Sequence, residues 1–175
     1  LDRIAAARAR QLPAAALENR ALKFAAKGVP PRDIERSVNE QADRMESARD
    51  AIAKGRGAKA SGDEIEAGAE AMRKGVDGAA VSTLAKSAPH DRPLAVALFV
   101  IGSLTDRGLS TNEALKQVLG RLQAKASDSD LESMPGELPS QAAAGQAKQP
   151  ADAGRGNGLC RPGTYGRPAG ARTTG

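Results

Sequence analysis

Apolar residues in the first 125 positions recur three and four residues apart, which is the period of an amphipathic helix. The longest such pattern spans residues 31–54, and its inward positions are Ile34, Val38, Gln41, Met45, Ala48 and Ile52. Residues 94–101 are apolar on every side, which predicts a central buried helix rather than a lone strand without a partner. The pattern predicts an all-α fold of about seven helices.

Four short segments that separate the predicted helices share one sequence pattern. Each places Gln or Gly before an apolar residue and then a helix-starting Pro, Asp or Ser, and they begin at Gln11, Gly28, Gly75 and Gly108. Glycine ends helices well because it adopts the left-handed conformation without a Cβ clash, and Pro, Asp and Ser suit the start of the next helix. We therefore predict stacked antiparallel α-hairpins, as an irregular bundle or a short solenoid-like array, with a left-handed joint at Gly28.

Residues 55–60, Gly-Arg-Gly-Ala-Lys-Ala, are predicted to form a flexible loop before the next helix. A phosphate-binding loop needs Gly directly before its Lys, Ser or Thr directly after it, and a preceding strand. Here Ala58 and Ala60 flank Lys59, and no strand is predicted before it. That motif is therefore excluded. Ser61 and Glu64 have the spacing of a capping box and predict the start of the following helix.

The composition changes after residue 125. Residues 126–175 hold 9 of the 19 glycines and 5 of the 10 prolines, with few large apolar side chains. Such a segment buries too little surface to offset the entropy of ordering it. We predict a helical domain over residues 1–125 and a disordered Gly/Pro/Ala-rich tail over residues 126–175.

Charge and cysteine content narrow the function classes. The 26 basic and 21 acidic residues are interspersed, which is typical of a solvated helical surface rather than a clustered nucleic-acid footprint. Cys160 is the only cysteine, so neither an intramolecular disulfide nor a cysteine-based metal site can form within one chain. No apolar run reaches the ~18 residues that span a membrane.

Candidate catalytic groups are scarce. His90 is the only histidine, and it lies beside Asp91 between two prolines in a predicted loop. A loop histidine next to an aspartate could serve as a general base, but no Ser/His/Asp or Cys/His set can be assembled around it. Di-metal bundles need Glu-x-x-His motifs, which the chain lacks. We predict that the protein is not an enzyme and has no catalytic, metal-binding or cofactor-binding residues.

Nucleic-acid binding is the alternative interpretation of the joints. The sequence after Gly28 is similar to a helix-turn-helix, with Ile34 at an expected apolar position but Ser37 at another. The Gly75 joint matches better, yet the helix after it begins without basic side chains. Because the same pattern occurs several times in one chain, generic hairpin chemistry explains it better.

The helical part resembles a group of uncharacterised bacterial exported proteins of unknown function. The resemblance rests on the Leu-Pro-x3-Leu…Ala-x-Gly-Val-Pro pattern from Leu12 to Pro30, on a Gly-ended hairpin from Glu66 to Gly75, and on Arg-Pro-Leu-x-Val at residues 92–96. It covers roughly residues 12–125 and departs in the tail, where such proteins often continue helically. It implies export, to the periplasm or beyond, but no activity and no site residues. Our expectation is a non-enzymatic exported module that binds a protein or an envelope component; the alternative is a cytoplasmic nucleic-acid-binding protein.

Overall fold

The computed structural model describes residues 2–137, and this part of the chain is entirely helical, with no strand. The all-α prediction is confirmed, and each of the seven predicted helices is present. An eighth follows them. The helices are α1 (Asp2–Ala9), α2 (Ala14–Ala26), α3 (Pro31–Arg56), α4 (Gly62–Arg73), α5 (Gly78–Ser87), α6 (Ala95–Asp106), α7 (Thr111–Gln123) and α8 (Asp128–Glu137).

Helix α8 corrects the predicted start of the tail, which cannot lie at residue 126. The Ser127 hydroxyl accepts a hydrogen bond from the Asp130 N–H (3.2 Å), and the Asp130 carboxylate accepts one from the Ser127 N–H (2.9 Å). This is a capping box with Asp in place of Glu. Leu131 and Met134, three residues apart, are buried in contact with the core. The Gly- and Pro-rich composition of the whole segment hid this short amphipathic signal.

The remainder of the predicted tail, residues 138–175 with Cys160, lies outside the described residues.

Two buried clusters share the central helix α3, which packs against α1, α2, α4 and α5. We call them the N-terminal cluster and the C-terminal cluster. The N-terminal cluster consists of Ala7, Leu12, Leu17, Val38, Ala42, Met45, Ala48, Ile65 and Ala69. The C-terminal cluster contains Ala51, Ile52 and Ala71 together with the buried residues of α5, α6, α7 and α8 and of the segments before α5 and α6. The predicted inward pattern of α3 is buried, except that Ile34 is half-buried.

From α3 onward, each helix packs on its second neighbour along the chain. Helix α3 packs on α5, α4 on α6, α5 on α7, and α6 on α8, while α3 with α4 and α6 with α7 also pack directly. The apolar helix α6 is the centre of the C-terminal cluster, as predicted, and buries Leu98, Ile101 and Leu104 completely. Its Phe99 is the exception, because half of that side chain is exposed.

The loop predicted at residues 55–60 begins later than expected. Helix α3 continues through Gly55 and Arg56 and ends at Gly57, which is left-handed with φ +67°. A Cβ on Gly55 would lie 2.3 Å from the carbonyl oxygen of Ser82 on α5. Gly55 is therefore a point of close helix contact rather than part of a loop.

Two further crossings depend on helical glycines. A Cβ on Gly68 would lie 2.9 Å from the Cβ of Ala48, where α4 crosses α3. A Cβ on Gly102 would lie 2.9 Å from the Cα of Ala71, where α6 crosses α4. Small residues at these positions let the helix backbones approach closely, which explains how a chain with 2% aromatic residues builds its two buried clusters.

Five joints between helices share one hydrogen-bond pattern. At Gly28, which has φ +72°, the N–H of Gly28 donates to the Ala25 carbonyl (3.0 Å) and the N–H of Val29 to the Phe24 carbonyl (3.1 Å). These two bonds define a Schellman motif. The same pair of bonds and a positive φ recur at Gln11, Gly75, Gly108 and Lys125. The four predicted joints are thus confirmed, and the fifth was missed because it has Lys in place of Gly.

Candidate binding surfaces

The residues that the sequence offered as candidate catalytic groups, His90 and Asp91, do not form an active site with other side chains. His90 is exposed in the turn between α5 and α6, and neighbouring Asp91 is exposed as well. Within residues 2–137, no group of three or more His, Cys, Asp or Glu side chains could hold a metal ion. None of the eight helices combines the length and the apolar content needed to cross a membrane.

The most buried ion pair in the described part of the chain lies near this turn. The guanidinium of Arg56 contacts the Glu64 carboxylate (Nη1–Oε1, 2.8 Å), and the two side chains are 12% and 6% exposed. Arg56 also donates to the backbone carbonyl of Arg92. Glu64 accepts hydrogen bonds from the N–H groups of Leu94 and Ser61, both at 2.9 Å. The pair thereby connects the end of α3, the start of α4 and the start of α6.

The electrostatics of Glu64 indicate an anchor rather than an acid or a base. Burial is the largest single influence on its pKa and would raise it. The backbone hydrogen bonds from Ser61 and Leu94, together with the charge of Arg56, outweigh burial and hold the pKa of Glu64 below its ordinary 4.5. Sequence reasoning identified Glu64 as part of a capping box, but the partner Arg56 was assigned to a loop.

A groove with a volume of about 410 Å³ lies between α1, α2 and α3, and we call it the N-terminal groove. Apolar side chains from all three helices line it, and Ile4, Ala21 and Ile34 remain half-buried there. Polar residues complete its lining, which consists of Asp2, Arg3, Ile4, Ala21, Pro31, Ile34, Glu35, Val38 and Asn39.

Helix α2 carries apolar residues beyond the face that it buries. Leu22, Ala25 and Ala26 lie three and four residues apart on α2, and Val29 follows just after the helix; we call these four residues the α2 stripe. Leu22 is 68% exposed, and Ala25 and Ala26 are exposed too. Ala25 lies one helical turn from Ala21, which lines the N-terminal groove. Sequence periodicity could have shown that the apolar arc of α2 is too wide for a single buried face.

A smaller pocket of about 320 Å³ lies between the end of α1, the second half of α3 and the loop that leads to α4. We call it the basic pocket, because three of its seven lining residues are cationic and none is acidic. The lining consists of Arg10, Gln11, Arg49, Ala53, Lys59, Ala60 and Ile65.

The C-terminal half presents different surfaces. A shallow groove of about 640 Å³ between α7 and α8 is lined mainly by polar and charged residues of both signs, among which Arg121 pairs with Glu137 (Nη2–Oε2, 3.1 Å). The exposed ring of Phe99 lies beneath the Lys74 ammonium, with 5.2 Å from Nζ to the ring centroid. Charge therefore balances this groove and covers Phe99, whereas another groove in this half, about 460 Å³ along α7, is lined in part by the half-buried Leu115 and Leu119.

Neither helix-turn-helix-like joint presents a cluster of cations. After Gly28, exposed Arg32 and Arg36 alternate with Asp33 and Glu35, and Arg36 contacts Asp33 (Nη1–Oδ1, 3.3 Å). The chain's net charge of +5 divides into +1 for residues 1–137, with 21 basic and 20 acidic residues, and +4 for residues 138–175, with 5 basic and 1 acidic. The folded part is nearly neutral.

The comparisons with known proteins identify no relative. The chain matched no family model, no curated protein and no solved structure.

Proposed function

We propose that the protein is a non-enzymatic helical module that binds a partner protein through the N-terminal groove and the α2 stripe. The observation that carries the proposal is the 68% exposure of Leu22, which directly follows the groove-lining residue Ala21 on α2. Burial of a large aliphatic side chain stabilises a complex by roughly 1.5–3 kcal/mol, so this surface offers binding energy that the isolated chain does not use.

The partner chemistry that suits this surface is an amphipathic helix with basic flanks. Apolar anchors three and four residues apart fit a groove between helices, which is a common mode of peptide recognition. Arg3 at the rim pairs with Asp43, so the carboxylates of Asp2 and Glu35 dominate the remaining charge at the rim. Lys or Arg beside the anchors would complement them and favour association.

Two observations favour this proposal over the alternatives. Glu64, the most buried acid within residues 2–137, is committed to structural hydrogen bonds, and His90 lies in an exposed turn. Residues 1–137 are nearly neutral, and the exposed arginines after Gly28 alternate with acids instead of forming the extended cationic surface that binds nucleic-acid phosphates. Hydrolytic turnover that His90→Ala abolishes would contradict the first point, and a salt-dependent gel shift that Arg36→Ala weakens would contradict the second. Export remains a prediction from the sequence resemblance, and the test is fractionation of cells that express the full-length protein.

The test of partner binding is selection of displayed helical peptides on the folded protein, followed by affinity measurement with variants. We expect the selected peptides to carry apolar residues three and four positions apart. They should bind the Leu22→Ser variant at least tenfold more weakly than the wild-type protein. Because Leu22 is mostly exposed, this variant should keep its melting temperature. Phe99→Ser is the matched control, since Phe99, at 50%, is the other large exposed apolar side chain within residues 2–137.

The proposal predicts that Phe99→Ser binds the peptides normally. Equal loss in both variants would indicate non-specific apolar adsorption, and failure to enrich any peptide would contradict the proposal. Concentration-dependent dimerisation that Leu22→Ser abolishes would instead assign the surface to a second copy of the chain.

A further inference from the structure

The basic pocket has the composition of a binding site for a small anion. Its three cations come from separate elements: Arg10 follows α1, Arg49 is on α3, and Lys59 lies in the loop before α4. Ala53, Ala60 and Ile65 form its apolar part, and Ile65 is buried. No carboxylate lines the pocket. Cations opposite an apolar wall suit a ligand that carries a negative charge at one end and an apolar group at the other.

The two arginines have acidic partners outside the pocket. Arg10 contacts Glu46 (Nη1–Oε1, 2.6 Å), and Arg49 donates to the Asp50 carboxylate through both Nε (2.9 Å) and Nη2 (2.8 Å). One member of each pair, Arg10 and Asp50, is more than half exposed, whereas Glu46 and Arg49 are 25% and 33% exposed. Water screens such partly exposed pairs, so a ligand anion competes with Glu46 for Arg10 and with Asp50 for Arg49. Arg49 also donates to the Arg10 carbonyl (3.2 Å), which fixes its position at the end of α1.

Gln11 gives the pocket a polar residue at the cost of backbone strain. Its backbone adopts φ +59°. The equivalent left-handed position is a glycine at three other joints, namely Gly28, Gly75 and Gly108. Its side-chain oxygen accepts a hydrogen bond from the Lys59 ammonium (3.0 Å). The Gln11 amide therefore orients Lys59 at the pocket and leaves its own N–H groups as further donors to an anion.

We propose that the basic pocket binds a small organic oxyanion, a carboxylate or a phosphate monoester. The oxyanion lies among Arg10, Arg49 and Lys59, since guanidinium groups bind carboxylate and phosphate through paired hydrogen bonds. The apolar part of the ligand contacts the alanine and isoleucine wall. This site is independent of the N-terminal groove, because the two share no lining residue.

Titration calorimetry with four probes tests the ligand class. We expect phenyl phosphate, hexanoate or both to bind, inorganic phosphate to bind at least tenfold more weakly, and neutral benzyl alcohol not to bind. Binding of phenyl phosphate alone assigns the site to phosphate monoesters, and binding of hexanoate alone assigns it to carboxylates. Failure of both organic anions to bind, or equal binding of benzyl alcohol, would overturn the proposal.

Variants locate the binding. Lys59→Gln removes the positive charge of an exposed side chain. It should lower the affinity for whichever organic anion binds by at least tenfold. Lys54→Gln is the matched control, because Lys54 is exposed on the same helix as Arg49 but does not line the pocket, and it should bind normally.

Gln11→Gly separates binding from stability. Glycine relieves the left-handed strain, so the melting temperature should rise while affinity for the anion falls at least threefold. Lys125→Gly is the control at the other strained joint, φ +57°, and should raise the melting temperature without changing affinity. Unchanged affinity in both Lys59→Gln and Gln11→Gly would overturn the assignment of the pocket.

Discussion

The N-terminal and C-terminal clusters hold their helices together in different ways. In the C-terminal cluster, α6 is surrounded by α4, α7 and α8, and its large aliphatic side chains are completely buried. In the N-terminal cluster, α1 adds only Ala7 to the core and is connected to the neighbouring helices by the exposed pairs Arg3–Asp43 and Arg8–Glu18.

The difference separates stability from binding. The C-terminal cluster buries the large aliphatic side chains of α6 and leaves parts of Phe99, Leu115 and Leu119 accessible, whereas the N-terminal cluster leaves the groove, the α2 stripe and the basic pocket accessible. Exposed ion pairs contribute little free energy, so the N-terminal helices should also unfold locally at lower cost. Mutations can test this division at the residues that join or distinguish the two clusters.

The largest effect should come from breaking the buried pair that joins the ends of α3, α4 and α6. Arg56→Leu leaves the Glu64 carboxylate buried without its cation, and we expect a loss of about 3 kcal/mol or more in the free energy of unfolding by urea titration. Arg8→Leu removes an exposed pair from the N-terminal cluster and should cost less than about 1 kcal/mol. Equal losses of unfolding free energy in the two variants would contradict the proposed difference between the clusters.

The same pair should give a pH dependence with a definite sign. The pKa of Glu64 is lower in the folded state than its ordinary 4.5, so its contribution is fully present above pH 4.5 and is lost as the pH falls through the folded pKa. We expect the stability difference between wild type and Glu64→Gln to be constant from pH 7 to 5 and to shrink below 4.5. Glu70, Glu113 and Asp130 also have lowered pKa values, and this subtraction removes their contributions.

The α3–α5 crossing in the C-terminal cluster should tolerate no added methyl group. Gly55→Ala places a Cβ against the Ser82 backbone, which cannot move independently of α5, and we expect a loss of about 2–3 kcal/mol. Gly120→Ala is the control: it is also inside a helix but has no atom within 4 Å of the added carbon, so it should raise stability by up to about 1 kcal/mol. Thermal unfolding of both variants tests this prediction. If Gly55→Ala leaves the melting temperature unchanged, α3 and α5 can move apart to accommodate the methyl group.

The α3–α4 crossing in the N-terminal cluster should yield more easily. The new methyl of Gly68→Ala clashes with the Ala48 methyl and makes ordinary contact with Ile52, and we expect a loss of about 1–2 kcal/mol. Adding Ala48→Gly removes the obstructing methyl, so the double variant should be more stable than the sum of the two single losses predicts. Strict additivity would show that these positions do not contact each other.

The smallest effect belongs to the left-handed joints. A side chain on Gly28 meets no atom within 4 Å, so Gly28→Val isolates the cost of a β-branched residue at φ +72°, about 1 kcal/mol or more. Gly28→Asn should cost less, because Asn tolerates this conformation. A melting temperature that Gly28→Val leaves unchanged would contradict the role of the joint.

Sequence reasoning succeeded where the determinant is local. The joints at Gly28, Gly75 and Gly108 follow from cap chemistry within a few residues, and the inward pattern of α3 follows from its period. Gly55 was misread because glycine both ends helices and permits close contact between them, and only the position of α5 shows which role applies. Arg56 was missed for a similar reason, since Leu94 and Arg92, which share the buried pair, lie more than thirty residues away along the chain.

The binding surfaces were less accessible to sequence reasoning. The width of the apolar arc on α2 was visible, but the N-terminal groove exists only because α1 lies beside α2 and α3. The basic pocket likewise collects residues from three elements. Interspersed charges along the chain gave no indication that three cations would line one pocket.

The packing of α3 on α5, α4 on α6 and α6 on α8 has a consequence for folding cooperativity. In a linear repeat array each hairpin contacts only its neighbours, so terminal repeats can unfold one at a time. In this protein, truncating the chain at any joint from Gly75 onward separates two helices that pack on each other. The remaining fragment then keeps one helix of the pair without its partner. Residues 31–137 should therefore unfold in a single transition, and a fragment that ends inside this range should fail to fold rather than form a shorter version of the same structure.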